Sequence, residues 1–132
     1  MIKEIDDANG NYATKDIKEL ILVFDSGLFV HLDQVVVYEE SFQNGDYKIQ
    51  IGLALLNHQI DIDEFTKMNL IGVDMLYDEM SPVKLDFVKC RKSYLCDMVM
   101  TDYKISQMNS DVEQLSMTFT GKILTKRRDE NE

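Results

Sequence analysis

The sequence LSMTFTGKI, residues 115–123, decides the fold class because its apolar and polar side chains alternate. Its odd positions are apolar and its even positions are serine, threonine or lysine, with Gly121 as the one odd exception. A period of two places the apolar side chains on one face of a β-strand and the polar ones on the other. The glycine allows a neighbouring chain to approach closely. We therefore predict a half-buried strand.

Working outward from this segment, the same kind of pattern recurs along most of the chain. Residues 47–55 are apolar at every odd position, and residues 83–87 repeat the alternation over a shorter run. Other runs are more uniformly apolar and rich in β-branched and aromatic residues, which strands favour. The expected strands lie near residues 20–24, 28–39, 47–56, 83–90, 94–106 and 112–124.

Turn-forming residues separate these runs and join them into hairpins. Asn44-Gly45 suits a two-residue type I′ turn because both positions can adopt positive φ. Residues 25–27, 91–93 and 109–111 are predicted to be turns as well. The apolar face changes phase within residues 94–106, which predicts a β-bulge near Thr101-Asp102.

One helix is expected, starting just after Asp61. This aspartate can cap the helix N-terminus, with Glu64 three residues on as in a capping box. The predicted helix covers residues 62–69, whereas residues 70–77 fit either a helix or a strand. The fold class is therefore mainly β: an antiparallel β-sandwich or small barrel of seven to eight strands with one short helix.

The length and composition indicate one self-sufficient domain. The chain has 132 residues, of which 45% are hydrophobic and 29% are charged, which suits a single packed core. We expect a flexible N-terminal arm at residues 1–16, one β domain at 17–125 and a disordered charged tail at 126–132. The net charge of −10 argues against a protein that wraps nucleic acid.

No targeting segment is expected from this sequence. The first seven residues are charged, and no apolar run approaches the roughly 18 residues of a membrane span. We therefore expect a cytosol-like compartment and no membrane partner. Cys90 and Cys96 are then expected to be free, packed thiols.

The residues that could carry catalysis form no recognisable motif, so we expect no enzymatic activity. The histidines are His31, expected to be a partly buried strand residue, and His58, expected in a loop. Neither they nor the cysteines lie in a nucleophile signature. No small-molecule substrate is expected.

We also expect no metal and no cofactor. The cysteine spacing does not fit a zinc knuckle. A calcium loop over residues 5–16 would need an acid where Ile5 stands and a glutamate where Asp16 stands. The acidic run 61–64 is explained by helix capping. Lys89, Arg91 and Lys92 are interpreted as a solvated turn. The methionines of the C-terminal strands, including Met108, are assigned to packing.

The sequences YLCDMVMTDYKIS, residues 94–106, and VEQLSMTFTGKI, residues 112–123, resemble the C-terminal hairpin of phage tail tube proteins. The resemblance implies a structural virion protein of a phage tail, made in the host cytoplasm: a tube, baseplate hub or terminator subunit. It implies a ring of identical subunits, typically a hexamer, that contacts other tail proteins. DNA would pass through the ring without adhering, because an acidic or neutral surface does not attract phosphates.

The same resemblance implies which residues face the channel or a neighbouring subunit. A hairpin that lines a ring presents one polar face to water or to another subunit. The candidates for that face are Asp97, Asp102, Glu113, Ser116, Thr118 and Thr120.

Two other classes of function remain open at this point. An acidic intracellular β-domain adaptor would bind a protein partner through a sheet edge and would stay monomeric at high concentration. A small-ligand barrel, or an enzyme built on it, would show a deep apolar pocket with convergent polar groups.

Overall fold

The computed structural model of the chain describes residues 2–5, 12–43, 45–56, 62–107, 109–125 and 128–131. In these ranges the regular structure is nearly all β, which confirms the expected mainly β, antiparallel class with its one short helix. The elements in chain order are β1 (Ile2–Ile5), β2 (Tyr12–Phe24), β3 (Phe29–Leu32), β4 (Val35–Gln43), β5 (Asp46–Leu56), α1 (Ile62–Phe65), β6 (Leu70–Met80), β7 (Phe87–Gln107), β8 (Val112–Ile123) and β9 (Arg128–Asn131).

The strands form one antiparallel sheet with the order β1-β2-β6-β7-β8-β5-β4. β3 also pairs with β2, and β9 also pairs with β7. The sheet curls until β1 lies beside β4, although the described residues show no strand pairing between these two. The sheet is therefore not closed into a barrel.

The passage from β3 to β4 explains how the two edges come together. β3 pairs with β2, whereas β4 pairs with β5 on the far side of the sheet. Asp33 and Gln34 separate the two strands, and the Gln34 carbonyl accepts a hydrogen bond from the Ala54 N–H at 3.2 Å. The prediction of one strand over residues 28–39 is therefore wrong, because each half of that segment pairs with a different strand.

The concave face of the sheet holds the hydrophobic core. Phe24 stacks on Phe65 of α1 with ring centroids 5.1 Å apart, and it lies 6.2 Å from the ring of Phe119. The largest fully buried side chains come from β2, β4, β5, β6, β7 and β8, namely Tyr38, Tyr77, Phe24, Phe119, Leu20, Leu22, Ile49, Ile51, Leu53, Leu70, Met75 and Met98. One core is thus shared by the whole sheet, and α1 packs against it.

The helix is shorter than the predicted residues 62–69. α1 ends at Phe65, and the chain then turns. Asn69 exchanges two hydrogen bonds with Asp25, one from its N–H to the carboxylate at 3.1 Å and one from the Asp25 N–H to its carbonyl at 2.9 Å. These contacts hold the backbone at residue 69 to the β2–β3 turn, so residues 70–77 become strand rather than helix.

The strand predicted at residues 83–90 and the turn predicted at 91–93 are both wrong in part. Residues 81–86 form the β6–β7 turn, and β7 runs without a break from Phe87 to Gln107. Ser81 fixes this turn, because its N–H donates to the Asp86 carbonyl at 2.9 Å and its carbonyl accepts from the Leu85 N–H at 3.0 Å. Residues 91–93 pair with β6 on one side and β9 on the other.

The remaining turns and the bulge are confirmed where the structure describes them. Gly27 and Gly45 have φ values of 90° and 86°, the left-handed region that favours glycine. The Asn109 carboxamide oxygen accepts hydrogen bonds from two backbone N–H groups of the β7–β8 turn. The pairing of β7 with β8 shifts between Met100 and Asp102, which is the predicted bulge.

Two strands lie in the terminal segments that were expected to be a flexible arm and a disordered tail. β1 pairs with residues 12–15 of β2, and β9 pairs with residues 90–93 of β7. Backbone pairing at open strand edges gives these short segments hydrogen-bond partners without a long apolar run. The division into arm, domain and tail stays a prediction.

Candidate functional site

The β7–β8 hairpin is the part of the chain that the sequence singles out, and its two faces are now distinguished. β8 buries Leu115, Met117 and Phe119 in the core. The even positions of β8 therefore point to the outer, convex face, and so do the residues directly opposite them on β7.

Five of the six predicted residues share that outer face. Asp97 lies opposite Lys122, and Asp102 lies opposite Thr118. The Thr120 hydroxyl lies 3.1 Å from the hydroxyl of Thr101, which ties the two strands together beside the bulge. The predicted residues on this face are Asp97, Asp102, Ser116, Thr118 and Thr120.

Glu113 is the exception, because its odd position places it on the same side of β8 as Leu115. It lies opposite Gln107 near the end of the hairpin. Grouping it with the serine and the threonines was wrong as a statement about strand faces. Whether any of these residues meets a channel or a neighbouring subunit stays a prediction.

The outer face continues onto β5 and β4, where it forms a shallow groove of about 140 Å³. Gly52 lies at its floor, and Glu39, Gln50, Ser116 and Thr118 provide its polar lining. The lining contains one carboxylate and no basic side chain, so it offers no cation to a phosphate group. The wider face is mixed in charge, since Lys104 lies opposite Ser116.

The second half of β7 has an open edge. Pairing with β6 ends at Met98, so within the described chain residues 99–107 pair on one side only, with β8. Val99, Tyr103 and Ile105 on this segment are 47%, 42% and 48% exposed. An open edge with apolar side chains is a template for pairing with another strand.

A second open edge belongs to β3. In the part of the chain that the structure describes, β3 pairs with β2 alone. Leu28 and Phe29 at its start are exposed, Phe29 to 60%. β2 pairs with the start of β6, which pairs with β7 just before its open segment. The two open edges therefore lie toward the same end of the molecule, on opposite sides of β2 and β6.

Polar groups also lie inside the curled sheet. The hydroxyls of Tyr38 on β4 and Tyr94 on β7 are 3.1 Å apart across the core. Burial raises the pKa of Tyr94 well above its usual value, and the nearby Tyr38 and Glu40 raise it further. Glu40 and Lys92, each two residues from one of these tyrosines, are buried charged side chains.

The burial of Lys92 corrects the expectation that it belongs to a solvated turn. Because β7 is continuous there, its alternation places Lys92 on the same side as Cys90 and Tyr94. Lys92 and Glu40 are thus buried in the same small core. The attraction between opposite charges in such a core offsets part of the free energy that removing each charge from water costs. The sequence signal for the burial of Lys92 is its even position. In an uninterrupted strand it shares this position with Cys90 and Tyr94, which face the core.

The candidate nucleophiles and bases lie on different sides of the sheet. Cys90 and Cys96 are buried thiols that form no disulfide, as predicted. Burial raises the pKa of Cys96 to about 12, and the charge of Asp97 adds to the shift. His31 is exposed rather than partly buried, and its Nδ1 lies 3.4 Å from a carboxylate oxygen of Glu19. β3 turns this histidine outward because Leu32 takes the core position.

Metal ligands do not gather in the part of the chain that the structure describes. No group of three or more histidine, cysteine or acidic residues occurs among those residues. Asp63 and Glu64 are exposed in the first turn of α1. The predicted helix cap Asp61, along with residues 6–11, His58 and Met108, lies outside the described residues. Among the described helices, none is long and apolar enough to span a membrane.

Comparison of the chain with protein-family models, with curated proteins and with solved structures finds no match.

Proposed function

We propose that the protein is a structural subunit that forms a ring with copies of itself, in the manner of the phage tail tube proteins that its C-terminal hairpin resembles. The observation that carries this proposal is the open edge of β7 at residues 99–107. An edge of nine residues can form a long ladder of backbone hydrogen bonds with a neighbour. Exposed apolar side chains on it, such as Tyr103 and Ile105, add buried area on pairing.

The second open edge supports a ring rather than a two-fold dimer. When part of the edge at residues 99–107 of one copy pairs with the four residues of β3 of the next, the two partners use different surfaces. Such a head-to-tail contact repeats from copy to copy and closes into a ring when the rotation between copies allows it. Phe29 on β3 and Val99 on β7 would provide apolar contacts at this junction.

The outer face of the hairpin supports a water-filled channel. The concave face is occupied by the core, so a channel lined by the hairpin would meet the convex face with Ser116, Thr118 and Thr120. The groove on this face has no cation in its lining, and the whole chain has a net charge of −10. The wider face holds Lys48, Lys104 and Lys122 beside Glu39, Asp97 and Asp102, so opposite charges are mixed on it. Its net attraction to phosphates would be weak, and DNA would be a passenger that does not adhere. Virion localisation and contacts with other tail proteins are parts of the same proposal.

The experiment is to measure the oligomeric state with and without the open edge. Ile105→Lys places a charge on the edge at a side chain that is 48% exposed. Lysine on an edge strand disfavours pairing with another chain. We expect the wild-type protein to form rings in negative-stain micrographs and multi-angle light scattering, and the variant to form no rings.

Leu95→Lys is the matched control. Leu95 lies on the same strand and is 56% exposed, but β6 already pairs with β7 there. This variant should assemble like the wild type. A wild-type protein that remains monomeric at high concentration would contradict the proposal and favour an adaptor that binds a different protein through the same edge.

A further inference from the structure

The turn between β6 and β7 displays an unusual number of apolar side chains. Met80, Val83, Leu85 and Phe87 are 51%, 88%, 81% and 62% exposed, and all four lie within eight residues. We call residues 80–87 the apolar turn. Single exposed apolar residues are common on protein surfaces, whereas a group of them close together in the chain often serves in binding.

The conformation of Leu85 is a second, independent observation. Its φ is 61°, and it is the one non-glycine residue of the described chain with a positive φ. A leucine is disfavoured there, and asparagine or glycine would fit with less strain. The side chain is 81% exposed, so the core does not account for it either. The hydrogen bonds of Ser81 hold the turn in this shape, including one from the Lys84 N–H to the Ser81 hydroxyl at 3.1 Å.

The charges on either side of Leu85 make the turn complementary to itself. The sequence of residues 83–87 is VKLDF, with Lys84 before the leucine and Asp86 after it, both exposed. A two-fold axis through Leu85 brings Lys84 of one copy to Asp86 of the other. The same axis would bring Val83 to Phe87, so the apolar and charged positions of residues 83–87 would each meet a suitable partner.

We infer that the apolar turn binds the same turn of a second copy of this chain. The area is consistent with a weak contact of this kind. The exposed fractions of the four apolar side chains amount to nearly three whole side chains, or roughly 400 Å² at about 150 Å² for each. Two copies together would bury at most roughly 800 Å² of apolar surface plus the polar atoms of the turn, which is below the roughly 1,200 Å² of a standard interface and corresponds to a weak, transient contact.

This contact does not depend on ring formation. The apolar turn precedes β7, and the open edge of that 21-residue strand begins at residue 99, roughly 40 Å from Phe87 at about 3.3 Å per residue. Testing it in the Ile105→Lys background removes association through the open edge. A failure of one interface can therefore be distinguished from a failure of the other.

The test exchanges the charges of the turn. Lys84→Glu makes the turn entirely acidic, and Asp86→Lys makes it entirely basic. The parent protein in these tests is Ile105→Lys. Each charge variant added to it should self-associate about tenfold more weakly than the parent in sedimentation-velocity runs up to about 1 mM, because like charges then meet across the axis. An equimolar mixture of the two should recover the association. So should the double swap Lys84→Asp with Asp86→Lys.

Leu85→Asn tests the apolar part, because asparagine accepts positive φ and keeps the turn. This variant should be monomeric with an unchanged circular dichroism spectrum. The inference is overturned if the parent is monomeric at 1 mM or if the single charge variants associate as well as the parent. It is also overturned if the mixture fails to recover association. A further contrary result would be that phosphatidylcholine vesicles bind the Ile105→Lys parent but do not bind the same protein with Leu85→Asn added.

Discussion

Gly121 lies where three strands meet at the base of the hairpin, opposite Met98 of β7 and Tyr47 of β5. A Cβ atom at this position would lie far inside the van der Waals contact distance to the Asp97 carbonyl oxygen and 2.8 Å from the Met98 Cα. Both obstacles are backbone, so no side-chain rotation can relieve the clash. The change Gly121→Ala therefore requires β7 and β8 to separate locally.

The expected cost follows from these contacts. Overpacking of this kind costs about 1–3 kcal/mol, and one or two disrupted ladder hydrogen bonds add about 1 kcal/mol each. We expect Gly121→Ala to lower the free energy of unfolding by about 2–5 kcal/mol. That is a large part of the 5–15 kcal/mol typical of a domain.

Gly72 and Gly52 provide matched controls. Like Gly121, neither has a positive φ, so alanine at all three positions differs only in what the added Cβ would contact. At Gly72 the nearest atom to an added Cβ is the Val23 Cβ at 3.4 Å, an ordinary contact. Gly72→Ala should therefore be neutral or stabilise by about 0.5 kcal/mol through the unfolded chain. At Gly52 the Val37 Cβ is 3.1 Å away, so Gly52→Ala should cost about 1 kcal/mol or less.

Urea denaturation followed by far-ultraviolet circular dichroism measures all three free energies of unfolding. The expected order of stability is Gly72→Ala, then Gly52→Ala, then Gly121→Ala well below both. Equal midpoints for Gly121→Ala and Gly72→Ala would refute the close approach of β7 and β8 on which this reasoning depends.

Two further predictions concern the buried polar groups. The pKa of Cys96 is raised from 9.0 to about 12, so above pH 9 the unfolded chain releases a proton that the folded chain retains. Wild-type stability should therefore fall as the pH rises from 9 towards 12, and Cys96→Ala should reduce that decline by up to about 1.4 kcal/mol per pH unit; parallel urea-midpoint profiles would contradict it. Tyr38→Phe removes the partner of the Tyr94 hydroxyl and should cost about 1–3 kcal/mol. Adding Tyr94→Phe should then cost little more, and full additivity in this double-mutant cycle would argue against the hydrogen bond.

The strand faces of the hairpin could be predicted from the sequence because a period of two is a local property. This period placed Thr118 and Thr120 on the other face of β8 from the buried Met117 and Phe119. The change of phase in β7 located the bulge near Thr101. Turns set by glycine were also predictable, since positive φ at Gly27 and Gly45 is a property of the residue itself. These features depend on a few neighbouring residues and not on distant contacts.

The alternation at residues 83–87 shows where local reasoning fails. The same apolar spacing fits a strand and the exposed turn that the structure contains, and the hydrogen bonds of Ser81 decide between them. Lys92 shows the converse. Its charge and its charged neighbour suggest a turn, yet pairing of β7 with β6 and β9 keeps the strand continuous and places the lysine inside.

By itself, the sequence determined that the chain is mainly β, where most strands lie and which hairpin residues share a face. Only the tertiary structure decided that the sheet curls without closing, that the chain changes edge between β3 and β4, and that β7 continues past β6 with an open edge. The physical reason is that periodicity specifies which side of a strand is buried. It does not specify which strand lies beside it or how far their pairing extends, because both depend on residues distant in the chain.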